Sequence, residues 1–319
     1  MDRLQSKLLH YIKTPLVKGE VVCGIQMYYK MDNLQPSGSF KDRGIGHMIH
    51  YLTTKAGVKH LLTSSGGNAG HSVACIGQRL KLPVTCFVPK TTLSMMVEKI
   101  KSRGTDVVIE GNNWNEADAK AKELLATDNR YGYIPPFDNA LIFEGNSTVI
   151  DEIKEDLGDV IPDAIALSVG GGGLLVGIQK GIERYNWINK TKIYALETAG
   201  AASFAAAKRE GKVVRLEKID TIASTLGALA VTSATLDTNV NTESIVISDA
   251  DAVKACLNFA NNHRMLVEPA CGAALSILNE KNIRLMQMNG IKTAVIIVCG
   301  GSAVDLQLLD MWKKKFDIK

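Results

Sequence analysis

Lys41 sits in the run Pro36-Ser37-Gly38-Ser39-Phe40-Lys41-Asp42-Arg43-Gly44, where small, turn-forming residues lead into a single amine. An amine on a packed, glycine-flanked loop can be desolvated, lose its proton near neutral pH and attack a carbonyl carbon. Taken alone it is one more solvated lysine, so its chemistry depends on other segments. The first is Ser168-Val169-Gly170-Gly171-Gly172-Gly173-Leu174. Consecutive residues without Cβ let backbone N–H groups close on an anion, and a following helix adds the positive end of its dipole. The run lacks the Gly-Lys-Ser/Thr ending of nucleotide-phosphate loops and is not a clean GxGxxG. A dinucleotide also needs an acidic residue ~20 positions on, at a following strand end. Glu197 only approximates that place, which disfavours a dehydrogenase. The plainer alternative is a flexible strand-to-helix turn.

Ser64-Ser65-Gly66-Gly67-Asn68-Ala69-Gly70 follows similar logic. Its hydroxyls, backbone amides and helix start suit a carboxylate, and the Asn68 amide can bond an oxygen on a ring. The competing reading is an N-capping turn. Cys299 ends an apolar strand before Gly300-Gly301-Ser302. By itself it reads as a buried core thiol. Beside the other segments it becomes the partner of a ring nitrogen. A thiol is a weak donor that leaves a pyridine nitrogen unprotonated, which suits elimination better than transamination. Together the four segments describe a phosphate-bearing aldehyde held by a lysine.

The elements that must position these residues begin near residue 58. Strands are expected at 60–65, 83–89, 106–110 and 131–134, and again at 164–169, 192–197 and 293–298. Helices are expected between them, over 68–80, 92–103, 115–126, 143–157, 174–185 and 203–208, then 249–263, 272–280 and 303–316. This alternation implies an α/β protein with parallel sheets and helices on both faces. Ligands then bind beyond the carboxyl ends of the strands. All three glycine-rich segments follow a strand and precede a helix, so all three could face one cleft.

With 319 residues the chain is long enough for two domains. Its net charge of +4 is spread along the sequence, which argues against a nucleic-acid partner. Lys313-Lys314-Lys315 reads as a solvated helix end complementing the macrodipole. No apolar run approaches the ~20 residues that cross a bilayer, and residues 1–7 lack the apolar core of a secretory signal. Six cysteines without a CxxC pair suggest reduced thiols in the cytoplasm, with no disulfide framework and no structural zinc.

Several longer segments carry a resemblance: Lys13-Thr14-Pro15, Lys30-Met31-Asp32, Gln35 to Lys41, Ser64 to Gly70, Tyr133 to Asp138, Ala164 to Leu175, Glu197-Thr198, Val267 to Ala274 and Val298 to Ser302. On these the chain resembles the serine/threonine dehydratases among the fold type II (β-family) pyridoxal-phosphate enzymes. It looks most like the short animal-type L-serine dehydratases without a regulatory domain. The resemblance implies two parallel-sheet domains, a large one from residues 1–37 and 141–319 and a small one, 38–140, inserted in it. It implies α,β-elimination of L-serine or L-threonine to pyruvate or 2-oxobutyrate plus ammonia, in a cytoplasmic homodimer. Lys41 would hold pyridoxal 5'-phosphate as a Schiff base and, once freed, take the α-proton. Phe40 would stack on the ring, Asn68 bond its 3-oxygen, Gly170, Gly171, Gly172 and Gly173 wrap the phosphate, and Cys299 meet the ring nitrogen. Ser65, Gly66, Asn68 and Ala69 would grip the substrate carboxylate. Glu197, Ala201, Ser203 and Leu226 match the positions that hold a monovalent cation, expected to be potassium.

One departure concerns Gly66. Relatives that racemise serine carry a hydroxyl there, so racemisation is disfavoured, with Ser65 expected to point elsewhere. Highly active dehydratases carry alanine, and the extra mobility of glycine predicts a lower turnover that Gly66→Ala would raise. The loop Ser39 to Gly44 also resembles threonine synthase. A replacement enzyme of that kind or of the cysteine-synthase kind is therefore an alternative, as is a non-catalytic cofactor-binding relative.

Overall fold

The computed structural model describes residues 10–318. The expectation about residues 1–7 lies outside them. The chain divides into two units. The first takes in the described residues up to Lys13 together with Gln35–Asn146, and the second Thr14–Leu34 with Ser147–Lys319.

The first unit is built on a four-stranded sheet: β3 (His60–Thr63), β4 (Val84–Val88), β5 (Asp106–Ile109) and β6 (Tyr131–Tyr133), in the order β5-β4-β3-β6. All three pairings are parallel. Alternation along β4 sends Cys86 and Val88 to one face, where they pack with Ala74, Val97 and Ile100, and Phe87 to the other, against Ala117 and Ala121. Helices Asn68–Leu80 and Ser94–Lys101 therefore cover one face and helix Trp114–Leu125 the opposite one.

The second unit has a six-stranded sheet. In chain order its strands are β1 (Leu16–Val22), β2 (Ile25–Lys30), β7 (Ala164–Ser168), β8 (Lys192–Thr198), β9 (Thr242–Ile247) and β10 (Thr293–Ile297), and in space they run β1-β2-β10-β7-β8-β9. All neighbours are parallel except β1 and β2. Every residue of β7 is buried, the uninterrupted apolar run of a strand covered on both faces.

Sequence periodicity misses β1, β2 and β9. β1 is mostly exposed, carries Lys18 and Glu20, and shifts register between Lys18 and Val21, so no clean alternation survives. Its turn is nonetheless written in the residues: Cys23 and Gly24 both have positive φ, as a two-residue hairpin of the favoured twist requires. The helix expected over 272–280 is instead Pro269–Leu275, then a short 3-10 turn at Ser276–Leu278 and a further helix Glu280–Met288 capped by Asn279. Lys41 does not end a loop. It opens helix Lys41–Lys55, which the glycines and β-branched residues of that stretch disguise.

Candidate active site

In the first unit, Asp42 organises the surroundings of Lys41. Its buried carboxylate accepts the Ser37 backbone N–H at 2.9 Å and the Ser72 hydroxyl at 2.5 Å. Burial pushes its carboxyl above the usual range, and the bonds from Ser37 and Ser72 pull the other way. The loop Ser37–Phe40 is thereby fastened to helix Asn68–Leu80. The half-buried Lys41 points its Nζ at the Pro136 carbonyl, 2.6 Å away, and 5.1 Å from the Phe40 ring centre.

The turn after β3 is fixed from behind. Ser64 is fully buried, donates to Asp118 Oδ1 at 2.8 Å and meets the Tyr133 hydroxyl at 2.9 Å, while Tyr133 also bonds Asp118. Its hydroxyl therefore belongs to the interior, contrary to its expected place among the carboxylate-binding groups. The Ser65 hydroxyl accepts the Gly67 N–H at 3.3 Å, and the Ser65 carbonyl accepts the Cys86 thiol at 3.3 Å. Ser65 thus bonds to Gly67 in its own turn and to Cys86 of β4. Asn68 and Ala69, both buried, open helix Asn68–Leu80 at its positive end. His71, in the same first turn, is held neutral: burial, with Arg103 and Lys99 nearby, lowers its pKa to about 4.

Gly66 sits against another segment of the first unit. An added Cβ would run into the Thr92 methyl and come 2.8 Å from its hydroxyl and 3.2 Å from its β-carbon. An alanine at 66 therefore needs Thr92 to give way, a cost that the predicted gain from Gly66→Ala left out.

In the second unit, β7 and β10 are parallel neighbours pairing Val295 with Ile165, so their carboxyl ends release the Gly170–Gly173 turn and the Cys299 loop side by side. The Ser168 hydroxyl and Cys299 thiol are 3.3 Å apart. Gly172, at φ +91°, caps helix Gly173–Arg184, and a Cβ there would strike the Thr235 methyl. The Gly171 carbonyl accepts the Thr232 N–H at 3.0 Å, and a Cβ on Gly170 would lie 3.2 Å from the Leu226 Cα and carbonyl oxygen. The turn is a cradle of main chain into which side chains do not fit, the shape a phosphate requires.

Glu268 lies in a quoted segment that by itself assigns it no role. Its buried carboxylate accepts the Ala303 N–H at 3.0 Å and the Thr225 hydroxyl, joining the Cys299 loop to the Ser224–Leu226 turn. Asp42, Thr92 and Glu268 all act on other parts of the chain, so no motif flags them. Asp42, adjacent to Lys41, is the most findable.

Glu197 ends β8, fully buried, and its two oxygens accept the Phe204 N–H at 2.7 Å and the Ala205 N–H at 2.8 Å. Burial pushes its carboxyl up to about 7 against those two bonds. The hydroxyl of Ser203 is buried with no hydrogen-bond partner among the described residues. A buried acid beside an unsatisfied hydroxyl fits a cation of low charge. No cluster of three or more His, Cys, Asp or Glu side chains suited to a metal ion occurs among the described residues.

Each unit by itself carries features that a phosphorylated pyridine aldehyde uses: an amine aimed at a carbonyl in the first, and a side-chain-free anion cradle with a thiol beside it in the second. The comparisons agree. The family model described as pyridoxal-phosphate dependent enzyme matches residues 7–300. A mouse protein named L-serine dehydratase/L-threonine deaminase is 42% identical over 313 residues, covering 95% of each chain. An L-serine dehydratase from Dictyostelium discoideum is 40% identical over 90% of this chain and 85% of its own. The crystal structure of a fungal L-serine ammonia-lyase from Rhizomucor miehei is 33% identical, with a TM-score of 0.87 over 96% of this chain and 99% of that one. With the matched model spanning most of its length, this chain belongs to the family of pyridoxal-phosphate dependent enzymes.

Proposed function

We propose that the chain is an L-serine and L-threonine dehydratase: water is eliminated across the α- and β-carbons and regained on hydrolysis of the resulting imine, so that the net products are pyruvate or 2-oxobutyrate and ammonia. The observation that carries this reading is the identity of about two residues in five with dehydratases along nearly the whole chain. The thiol of Cys299 on the β10 loop supports it, being suited to elimination.

Bound pyridoxal phosphate supplies the electron sink for the substrate α-carbon. The protein does the rest. Lys41 would hold the aldehyde and, once the substrate amine has displaced it, its Nζ would take the α-proton, with the Pro136 carbonyl orienting the amine. Phe40 covers the ring, Asn68 bonds the ring oxygen, and Gly170 to Gly173 enclose the phosphate. Ser65, Gly66, Asn68 and Ala69 hold the substrate carboxylate by backbone and helix end, which orients the Cα–H bond. Glu197, Ala201, Ser203 and Leu226 hold a potassium ion, a role supported by the partnerless Ser203 hydroxyl. A homodimer in the cytoplasm is part of the proposal, as the resemblance to the dehydratases implies.

The test is a 2-oxo acid assay on purified protein with L-serine and L-threonine, with Lys41→Ala alongside. Wild type should form product, and the variant should lose roughly 10³-fold or more of the rate. Borohydride should bleach the yellow of the loaded protein and leave the cofactor fixed to Lys41 as a secondary amine. Product only from O-phosphohomoserine, or only from O-acetylserine with sulfide, would overturn the reading in favour of a replacement enzyme. A cofactor-loaded protein without any product would make it a binding relative.

A further inference from the structure

Gly66 and Thr92 both belong to the first unit, far apart in sequence and close in space. Of the Thr92 atoms that a Cβ on residue 66 would meet, two are the methyl and hydroxyl, and the third is the β-carbon at 3.2 Å. Rotating the threonine side chain clears only the first two. Neither partner has an easy retreat. The Thr92 N–H closes a turn onto the Pro89 carbonyl at 3.0 Å, just ahead of helix Ser94–Lys101. On the other side, Ser64 is tied to Asp118, and Ser65 to Gly67 and Cys86.

We infer that Thr92 is a positioning residue for the turn that holds the substrate carboxylate. Its side chain props the turn at Gly66 by occupying the volume that a side chain at 66 would otherwise fill. Positions 66 and 92 then form a size-matched pair: small against large here, with room for a larger residue at 66 only when 92 is trimmed. The glycine is not a slack point in the turn, since its missing side chain is replaced from across the gap. This deepens the dehydratase reading and rests on its placement of the carboxylate.

The experiment is a double-substitution cycle on cofactor-loaded protein: wild type, Gly66→Ala, Thr92→Ala, the double variant, and Thr92→Ser as the conservative control. KM and kcat for L-serine, the absorbance of the bound cofactor, and the melting temperature are measured for each. Gly66→Ala should raise KM about tenfold or more with cofactor absorbance unchanged, because a displaced turn misplaces the substrate. Thr92→Ala should raise KM a few-fold and Thr92→Ser by less. The double variant should recover most of the KM and melting temperature that Gly66→Ala loses. An unchanged KM in Gly66→Ala overturns the inference, as does a double variant whose KM change is the product of the single changes. If Gly66→Ala alone does not fold, a folded double variant supports the pair and an unfolded one overturns it. If wild type forms no 2-oxo acid, the dehydratase reading fails. The inference then stands or falls on the melting temperatures, where recovery in the double variant supports the contact and additive losses overturn it.

Discussion

The two units order their candidate residues by different means. In the first, the residues around Lys41 are tied by side chains: Asp42 reaches Ser37 and Ser72, and Ser64 is locked by Asp118 and Tyr133. In the second, the Gly170–Gly173 turn is shaped by what side chains leave out, with Thr235 and Leu226 standing where Cβ atoms would go. The network around Asp42 breaks when atoms are removed, and the Gly170–Gly173 turn when they are added. A catalytic amine must be aimed along one direction, which takes bonded partners. A phosphate is bulky and accepts bonds from many directions, and needs only bare main chain around it.

That contrast can be broken by three measurements. The largest effect is expected from Asp42→Ala, which strands the buried Ser37 N–H and Ser72 hydroxyl. Unfolding in urea should show a loss of about 2–4 kcal/mol, with kcat falling as Lys41 loses its footing. Asp42→Asn should restore most of both. Next comes Gly172→Ala, where an alanine must adopt φ near +91° and meet Thr235. It should cost about 1–3 kcal/mol and weaken pyridoxal phosphate in a dialysis titration, while leaving the surroundings of Lys41 intact. Normal cofactor binding by the Gly172→Ala variant would end the notion that the second unit excludes side chains there.

The smallest effect is conditional on pH. His71 has its pKa lowered to about 4 in the fold, against about 6.5 in an unfolded chain. Between these values the unfolded chain holds more protons, so stability is complete above about pH 6.5 and declines as pH falls toward 4. The loss should be on the order of 1 kcal/mol near pH 5.5. His71→Gln should flatten this acid limb and leave stability near pH 8 little changed, as read from melting curves across pH.

What could be read from the residues follows the same division. Glycine runs after apolar strands announce themselves, because a missing Cβ at several consecutive positions serves little else. The parallel strands β7, β8 and β10 are equally plain, being short apolar bursts buried on both faces. Groups that act through other groups stay hidden. Thr92 lies far along the chain from Gly66, and nothing in either residue type signals that one fills the other's space. Ser64 illustrates the opposite error: it sits in the right motif, but packing turns its hydroxyl to Asp118. The helix at Lys41 is obscured for a local reason. Gly44 and Gly46 lower its propensity, yet each lies where an added Cβ would collide, with Asn146 and Ile142 in one case and His10 in the other.

The bend in β1 has a bearing on solubility. An outermost strand displays a row of unsatisfied amides and carbonyls that can recruit another extended chain and seed aggregates. Here that row is interrupted between Lys18 and Val21 and carries alternating charge from Lys18 and Glu20. A straight, neutral variant, with the irregular residue deleted and both charges replaced, should assemble into insoluble material at concentrations where the parent stays dispersed.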